Sequence, residues 1–356
     1  MKEILVKAYL NFNLGDDLFI KILTERYPNI NFYIESDDKN YTQIFKSSKI
    51  YLYKKSRLEK RLIKLGILKY FFYKKFLKKI DGIINIGGSI FMENSINYKK
   101  DIEKRKIENK AVKGNYYILG ANFGPFRSEK FRKSYKEFFS KCRDVCFRDK
   151  YSYNLFSELP NIRYADDIVF SLKDNIISED IQGKILISVI KPSIRKELKT
   201  KDEEYYEAIK KIILEGMKIG KKIQLISFCK NEGDEEAILE IKKLLPQKIN
   251  REIDTYFYRG NIEEALKVIN TSEIVVATRF HAMILGFIYE KKVLPICYSK
   301  KMVNVIEDLN FSGKYLTFDK LKDFRINEIG ENNKLKKEIL ENITKISKKH
   351  FEKLKI

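Results

Sequence analysis

Residues 273–288 read EIVVATRFHAMILGFI, and this stretch decides the fold class. The run from Glu273 to Ala277 is short, apolar and rich in β-branched side chains, which predicts a buried strand. The next run, from Thr278 or Arg279 to about Ile288, predicts a helix. A buried strand followed at once by a helix is the unit of parallel sheets that carry helices on both faces.

The same alternation of strands and helices extends along the whole chain. Strands are predicted at residues 3–9, 30–34, 82–86, 116–119, 145–147, 167–170, 184–190, 222–228, 254–258, 273–277 and 293–296. The series is broken near Ser171 to Gln182, so the sequence predicts an α/β protein with two doubly wound, Rossmann-like domains facing a cleft. The predicted domains are residues 1–178 and 179–332, followed by a C-terminal helix at 333–356.

Length and composition narrow the classes of protein. The 356 residues suffice for two domains that each bury a core. No run of 18 apolar residues occurs, and the start from Met1 to Val6 has no signal-peptide cleavage pattern, so we expect a cytoplasmic protein. The four cysteines show neither a C-x-x-C pair nor a spacing typical of zinc sites, and we expect them to be reduced and buried, with no metal bound.

The formal net charge is +22, and the densest basic stretch runs from Tyr51 to Lys79. One interpretation is a solvated helical face over the core. The other is a basic amphipathic segment that rests on an anionic membrane, on the inner face if the protein is cytoplasmic. The chain has no recognisable nucleic-acid-binding motif, so nucleic acid is not an expected partner.

In open parallel sheets, ligands bind beyond the carboxyl ends of the strands, which directs attention to the loops there. The first such loop runs from Asn11 to Asp17, and it is not a G-x-G-x-x-G dinucleotide fingerprint. Its Asp16 or Asp17 can cap the next helix or bind a sugar hydroxyl, and a plain turn is the alternative. The loops Gly87-Gly88-Ser89 and Asn122 to Phe126 also follow buried strands, and each either lets a ligand approach the backbone closely or forms a simple tight turn.

The loop Thr278-Arg279-Phe280-His281 is the strongest candidate site. His350, the other histidine, lies in a charged C-terminal stretch that we expect to be solvated. Histidine suits proton transfer near neutral pH, and the planar fork of Arg279 suits a phosphate or carboxylate. A helix N-terminus adds partial positive charge. The alternative is a capping threonine, a surface arginine and a half-buried histidine.

Taken together, these loops resemble the polysaccharide pyruvyl transferase family. The resemblance extends from about Ile4 to Lys301, and its most specific element is Arg279-Phe280-His281-Ala282 with Pro295 and Tyr298 downstream. The other matching segments are Asn13 to Asp16, Gly87 to Ser89, Gly120 to Pro125, Arg148-Asp149 with Ser152, and Asp166-Asp167.

This resemblance implies a GT-B-like fold and a transfer of the pyruvyl group of phosphoenolpyruvate to two hydroxyls of one sugar. The acceptor would be a surface polysaccharide or its lipid-linked precursor, with the first domain on the acceptor side and the second on the donor side. The family often has an arginine after the strand that corresponds to Lys184 to Ile190, and here Lys191 or Arg195 takes its place. Phosphoenolpyruvate is a co-substrate, and no step requires a metal or a redox cofactor.

The resemblance also suggests roles for individual residues. The predicted catalytic residues are His281 as the acid and Asp16 or Asp17 as the base. Predicted donor contacts are Arg279, Lys191, Arg195, Gly87, Gly88 and Ser89, and predicted acceptor contacts are Asn13, Gly15, Asn122 and Gly124. Two other hypotheses stay open at this point: a GT-B-like glycosyltransferase that uses a nucleotide sugar, and a non-catalytic protein that binds a glycan or a membrane.

Overall fold

The computed structural model describes residues 1–45, 49–57, 60–61, 71–93, 98–175, 183–321 and 324–356. The chain forms two compact units. Unit 1 comprises Met1–Leu10, Phe19–Ile168 and Lys345–Ile356, and unit 2 comprises Asn11–Leu18 and Val169–Thr344. The predicted boundary at 178/179 lies outside the described residues. The short segment Asn11–Leu18 belongs to unit 2 although it falls within the range 1–178.

Unit 1 is built on a parallel sheet. Its strands are β1 (Glu3–Lys7), β2 (Asn31–Glu35), β3 (Ile50–Tyr53), β4 (Gly82–Ile86), β5 (Tyr116–Ala121), β6 (Asp144–Phe147) and β7 (Ile162–Tyr164). Its described helices are α1 (Leu14–Arg26, which begins in unit 2), α2 (Asn40–Ile44), α3 (Phe71–Leu77), α4 (Tyr98–Ala111), α5 (Glu129–Phe139) and α6 (Lys150–Asn154). Within the described residues the strand order is β3-β2-β1-β4-β5-β6-β7, and every pair is parallel.

The central strands β4, β5 and β6 are buried along their whole length, as expected for a sheet covered on both faces. An aromatic cluster fills one side of this sheet, where Phe123 contacts Phe131, Tyr135, Phe139 and Phe156 at centroid distances of 4.8–6.1 Å. Such pairs add to the stabilisation that burial of apolar area provides. The loops that follow β4, β5 and β6 therefore start from a rigid base.

Unit 2 repeats the architecture. Its strands are β8 (Lys184–Ser188), β9 (Lys222–Ser227), β10 (Asp254–Phe257), β11 (Ile274–Ala277), β12 (Lys292–Cys297) and β13 (Leu316–Thr317). Its described helices are α7 (Asp202–Lys218), α8 (Asp234–Lys243), α9 (Gln247–Glu252), α10 (Ile262–Asn270), α11 (Phe280–Ile288), α12 (Lys300–Asp308) and α13 (Lys337–Ser347, which ends in unit 1). The order is β10-β9-β8-β11-β12-β13, again with all described pairs parallel.

The helix α7 shows how sequence pattern produces packing in this unit. Its buried residues Tyr205, Ile209, Ile212 and Ile213 recur at helical spacing and join the core on one face of the sheet. Gly216 lies on the same face, where an added Cβ would come within 2.9 Å of the Cδ1 atoms of Ile185 and Ile223. Glycine at this position lets the helix approach the strands closely.

Three of the sequence-based predictions are not matched by the structure. Residues 167–170, predicted as a strand, lie in a loop and in the 3-10 helix Ile168–Asn175. In the C-terminal range 333–356, the α-helix occupies only Lys337–Ser347 and is followed by a 3-10 turn, Lys348–Phe351. The prediction that His350 is solvated is wrong, because this side chain is fully buried in unit 1 and its Nε2 lies 2.9 Å from the carbonyl oxygen of Asp166.

Candidate functional site

The loop after β11 is fixed by contacts with the end of β8. The Thr278 N–H donates to the carbonyl of Ser188 (3.3 Å), and the Arg279 N–H donates to the Ser188 Oγ (3.2 Å). The buried Thr278 hydroxyl also pairs with the Tyr205 hydroxyl at 2.8 Å. Helix α11 then begins at Phe280, so Arg279 and His281 are held at the carboxyl end of the second sheet, as the sequence predicts.

The guanidinium of Arg279 is occupied by two carboxylates of unit 2. Its Nε donates to Asp234 Oδ2 at 2.9 Å, its Nη2 donates to the other Asp234 oxygen, and its Nη1 donates to Glu232. Burial opposes the charge, but the two carboxylates outweigh it and raise the pKa of Arg279 well above its usual value. The predicted donor-binding arginine is thus already ion-paired.

Glu232 is shared among three side chains that donate to it. In addition to Arg279, its Oε2 accepts from Arg195 Nη2 at 3.4 Å, and its Oε1 accepts from Asn13 Nδ2 at 3.3 Å. Burial favours the neutral form, but the charges of Arg279 and Arg195, together with the hydrogen bonds from Arg279 and Asn13, outweigh burial and lower the pKa of Glu232. This carboxylate is therefore ionised at neutral pH and links the first loop of the chain to the Arg279 loop.

His281 lies in the first turn of α11 and is half-buried. Its ring packs against the backbone of Gly15, since a Cβ added at Gly15 would lie 1.8 Å from His281 Nδ1. The Gly15 N–H in turn donates to Asn13 Oδ1 at 3.1 Å. The ring of Phe280 meets His281 edge-on at 5.2 Å. The loop with Asn13 and Gly15 thus fixes the position of the histidine.

The two aspartates predicted as bases differ in their surroundings. Asp17 is fully buried, and its Oδ2 accepts a hydrogen bond from the Tyr258 hydroxyl at 2.7 Å. Its Oδ1 has no hydrogen-bond partner among the described residues. Burial raises the pKa of Asp17 to about 8, so this carboxyl is mostly protonated at neutral pH. Asp16 is half-buried in the same turn and is the more accessible of the two.

The two cations offered as substitutes for the family arginine also differ. Lys191 donates to Glu236 and not to either of the carboxylates that hold Arg279. Arg195 joins the cluster through Glu232 and lies over the ring of Tyr298 at 4.4 Å. Its buried Nη1 has no hydrogen-bond partner in the described part of the chain. Arg195 therefore has a donor to offer to an anion.

The remaining predicted residues form a second cluster, in unit 1. Arg148 donates to Asp167 Oδ2 at 2.6 Å and to Asn122 Oδ1 at 3.0 Å. A Cβ added at Gly88 would lie 2.1 Å from Arg148 Nη2, and the Ser89 hydroxyl donates to Asn122 Oδ1 at 3.2 Å. This buried cluster brings together the loops after β4, β5 and β6.

The other two glycines predicted in these loops adopt positive φ. Gly87 has φ 141° and Gly124 has φ 100°, a region that other residues rarely adopt. The Gly124 N–H donates to the carbonyl of Phe91 at 2.8 Å. The predicted donor contacts are divided between the two units. Unit 1 contains Gly87, Gly88 and Ser89, and unit 2 contains Arg195 and Arg279.

Comparison with known proteins assigns the family. A model of the family described as polysaccharide pyruvyl transferase matches residues 13–300. The chain belongs to this family. The family is one of transferases that act on polysaccharide, and the matched range contains both clusters. No curated protein matches the chain.

Solved structures similar to the chain show the GT-B fold. HepE from Anabaena, in complex with UDP-glucose, is 10% identical with a TM-score of 0.60, and the match covers 99% of each chain. A point mutant of TarM from S. aureus is 11% identical with a TM-score of 0.55, also over 99% of each chain. The UDP-GlcNAc 2-epimerase of Methanocaldococcus jannaschii is 13% identical with a TM-score of 0.53, over 98% of this chain and 92% of that one. At these identities the likeness shows the fold alone.

Sequence reasoning missed Glu232 and Asp234, which hold Arg279. They lie in the loop after β9 and at the start of α8, so the rule that selected the other loops applies to them as well.

No group of three or more His, Cys, Asp or Glu in the described ranges could hold a metal ion. None of the described helices is long and apolar enough to span a membrane.

Proposed function

We propose that this member of the family transfers the pyruvyl group of phosphoenolpyruvate to a sugar of a surface polysaccharide or of its lipid-linked precursor. The observation that carries the proposal is the position of His281, half-buried at the start of α11 and packed against Gly15, inside the matched range 13–300. A proton donor held in this way, two residues after Arg279 in the chain, suits an anionic substrate that must be protonated.

The proposed reaction balances with the groups at this site. His281 gives a proton to the methylene carbon of phosphoenolpyruvate, and the adjacent carbon becomes electrophilic. One sugar hydroxyl adds to that carbon, phosphate leaves, and a second hydroxyl closes the cyclic ketal. Of the two hydroxyl protons, one passes through Asp16 and reprotonates His281, and the other leaves with phosphate. Arg195 and Arg279 neutralise the carboxylate and phosphate of the donor.

A basic surface in unit 1 is the proposed contact with an anionic membrane, on the cytoplasmic face. Helix α3 presents Phe71 with 57% of its surface exposed, and Lys74, Lys75, Lys78 and Lys79 are exposed beside it. Within the stretch 51–79, residues 58–59 and 62–70 lie outside the described residues. Vesicles rich in phosphatidylserine should sediment the protein, whereas phosphatidylcholine vesicles should not. Equal sedimentation by both would remove this part of the proposal.

A nucleotide-sugar glycosyltransferase is the second candidate. The HepE and TarM structures contain UDP-glucose and UDP, and both share the fold. The carboxylate of Glu232 beside Arg279 can also accept hydrogen bonds from the hydroxyl groups of a nucleotide, whereas it repels the carboxylate of phosphoenolpyruvate.

One experiment separates the candidates. Purified protein is incubated with phosphoenolpyruvate and a panel of glycans and lipid-linked saccharides, and released phosphate is measured with and without acceptor. Acceptor-dependent release supports pyruvyl transfer. Stabilisation by uridine nucleotides together with hydrolysis of a nucleotide sugar, and no release from phosphoenolpyruvate, would support the glycosyltransferase. Glycan binding that survives loss of both Arg279 and His281, with no turnover of either donor, would indicate a non-catalytic protein.

A further inference from the structure

The carboxylate of Glu232 occupies the point at which three donors of unit 2 converge. Its Oε2 accepts from the guanidinium groups of Arg195 and Arg279, and its Oε1 accepts from the amide of Asn13. Two guanidinium groups and an amide that converge on one point form the kind of site that binds a phosphate or carboxylate. In this structure the chain itself supplies the anion.

Comparison with Asp234 shows that the two carboxylates are held differently. The Asp234 side chain is fully buried, and it accepts from the N–H groups of Phe228 and Cys229 as well as from Arg279. Its removal would leave two backbone N–H groups without partners and would take away one of the two carboxylates that pair with the buried Arg279. Asp234 is therefore a permanent anchor for Arg279.

Glu232, by contrast, has partners that are side chains and keeps 21% of its own side chain exposed. It ends the short 3-10 turn Lys230–Glu232, and Gly233 follows with φ 73°. Because its partners are polar side chains, an incoming anion that accepts from the same groups would keep them paired when the carboxylate turns to solvent. Of the two carboxylates, Glu232 is the replaceable one.

Arg195 shows what a replacing anion would gain. Its Nη2 donates to Glu232 at a long distance, 3.4 Å, and its buried Nη1 has no hydrogen-bond partner among the described residues. Contact with the Tyr298 ring, 4.4 Å from its Cζ, holds the guanidinium in place. A phosphate has more oxygen atoms than a carboxylate, so it could accept from both Arg195 nitrogens and also accept from Arg279.

We propose that Glu232 is a built-in competitor of the donor: its carboxylate occupies the anion position between Arg195 and Arg279, and the phosphate or carboxylate of the donor displaces it. This inference rests on the proposed function for the identity of the donor. Competition by Glu232 would set the affinity for the donor. It would also select dianionic donors, because a weakly bound anion does not displace an ion-paired carboxylate.

The test compares Glu232→Gln with wild type in calorimetric titrations with inorganic phosphate and with phosphoenolpyruvate. The amide keeps the shape of the side chain but removes its charge, so both ligands should bind about tenfold more tightly. The matched control is Glu236→Gln, which removes a nearby acid that pairs with Lys191 instead of the two arginines. It should change neither affinity by more than about twofold.

Unchanged or weaker phosphate binding by folded Glu232→Gln would overturn the proposal. If this variant does not fold, as judged by circular dichroism, Glu232→Asp keeps the charge but withdraws it by one methylene. Phosphate binding should then tighten by about threefold, and no tightening would again refute the inference. Phosphate binding needs no turnover, so a protein that never consumes phosphoenolpyruvate but passes this test would refute the proposed function and leave the role of Glu232 standing.

Discussion

Replacement of Gly15 by alanine should abolish most activity while the protein stays folded. The new Cβ would lie 1.8 Å from His281 Nδ1, about 1.2 Å closer than the 3.0 Å below which such contacts essentially never occur. Gly15 is in the first turn of α1, where alanine favours the helix by roughly 0.5–1 kcal/mol relative to glycine. We therefore expect the backbone of this turn to keep its position. The half-buried imidazole must therefore move by more than about 1 Å, a misplacement that costs about 100-fold in rate.

The assay is phosphate release from phosphoenolpyruvate in the presence of a productive acceptor, beside thermal unfolding of the same samples. We expect kcat to fall about 100-fold and the free energy of unfolding to change by less than about 2 kcal/mol, because strain and helix propensity partly offset each other. Gly330→Ala is the matched control, since a Cβ there would meet nothing within 4 Å. Wild-type turnover by Gly15→Ala would show that the position of His281 is irrelevant to the reaction.

Two further predictions concern stability and pH. Burial lowers the pKa of His350 to about 4, so between about pH 6.5 and pH 4 the unfolded state binds a proton that the folded state does not bind. The free energy of unfolding therefore falls by up to about 3 kcal/mol as the pH drops through this range. His350→Gln should flatten this part of the unfolding profile, and an unchanged slope would argue against it. For Asp17, whose pKa burial raises to about 8, the sign is opposite: the folded state holds the proton, and stability falls as the pH rises from about 4 to 8. Asp17→Asn should therefore gain in melting temperature relative to wild type between about pH 5 and pH 8, and a constant difference would contradict the burial of a neutral acid.

Much of the fold is predictable because each strand and its following helix are local in sequence. The strand β11 and the start of α11 are located correctly from an apolar run and the residues after it. The strands that were missed, β3, β7 and β13, lie at sheet edges and are only two to four residues long, and only the first residue of each is buried, so none shows a pattern long enough to identify a strand. The prediction of a strand at 167–170 was wrong for a related reason, since three apolar residues, Ile168 to Phe170, do not distinguish a strand from a 3-10 helix.

Only those residues of the candidate site that lie next to a predicted strand and helix could be placed from the sequence. The positions of Arg279 and His281 follow from the strand and helix that flank them, but the partners of Arg279 come from the loop after β9, about 45 residues earlier in the chain. Which carboxylate reaches which guanidinium depends on sheet order, and β9 is separated from β11 by β8. The association of Asn11–Leu18 with unit 2 is likewise a long-range contact that spacing alone does not reveal.

The proposed reaction depends most on one step, the delivery of a proton by His281 to the methylene carbon of phosphoenolpyruvate. The direct measurement is a reaction in D₂O with a productive acceptor, followed by NMR of the ketal methyl group. Wild type should give a methyl group that carries one deuterium, and His281→Gln, with its fold intact, should give no ketal above background. Ketal formation at the wild-type rate by His281→Gln, or turnover of a nucleotide sugar with phosphoenolpyruvate untouched by the wild-type protein, would contradict the account.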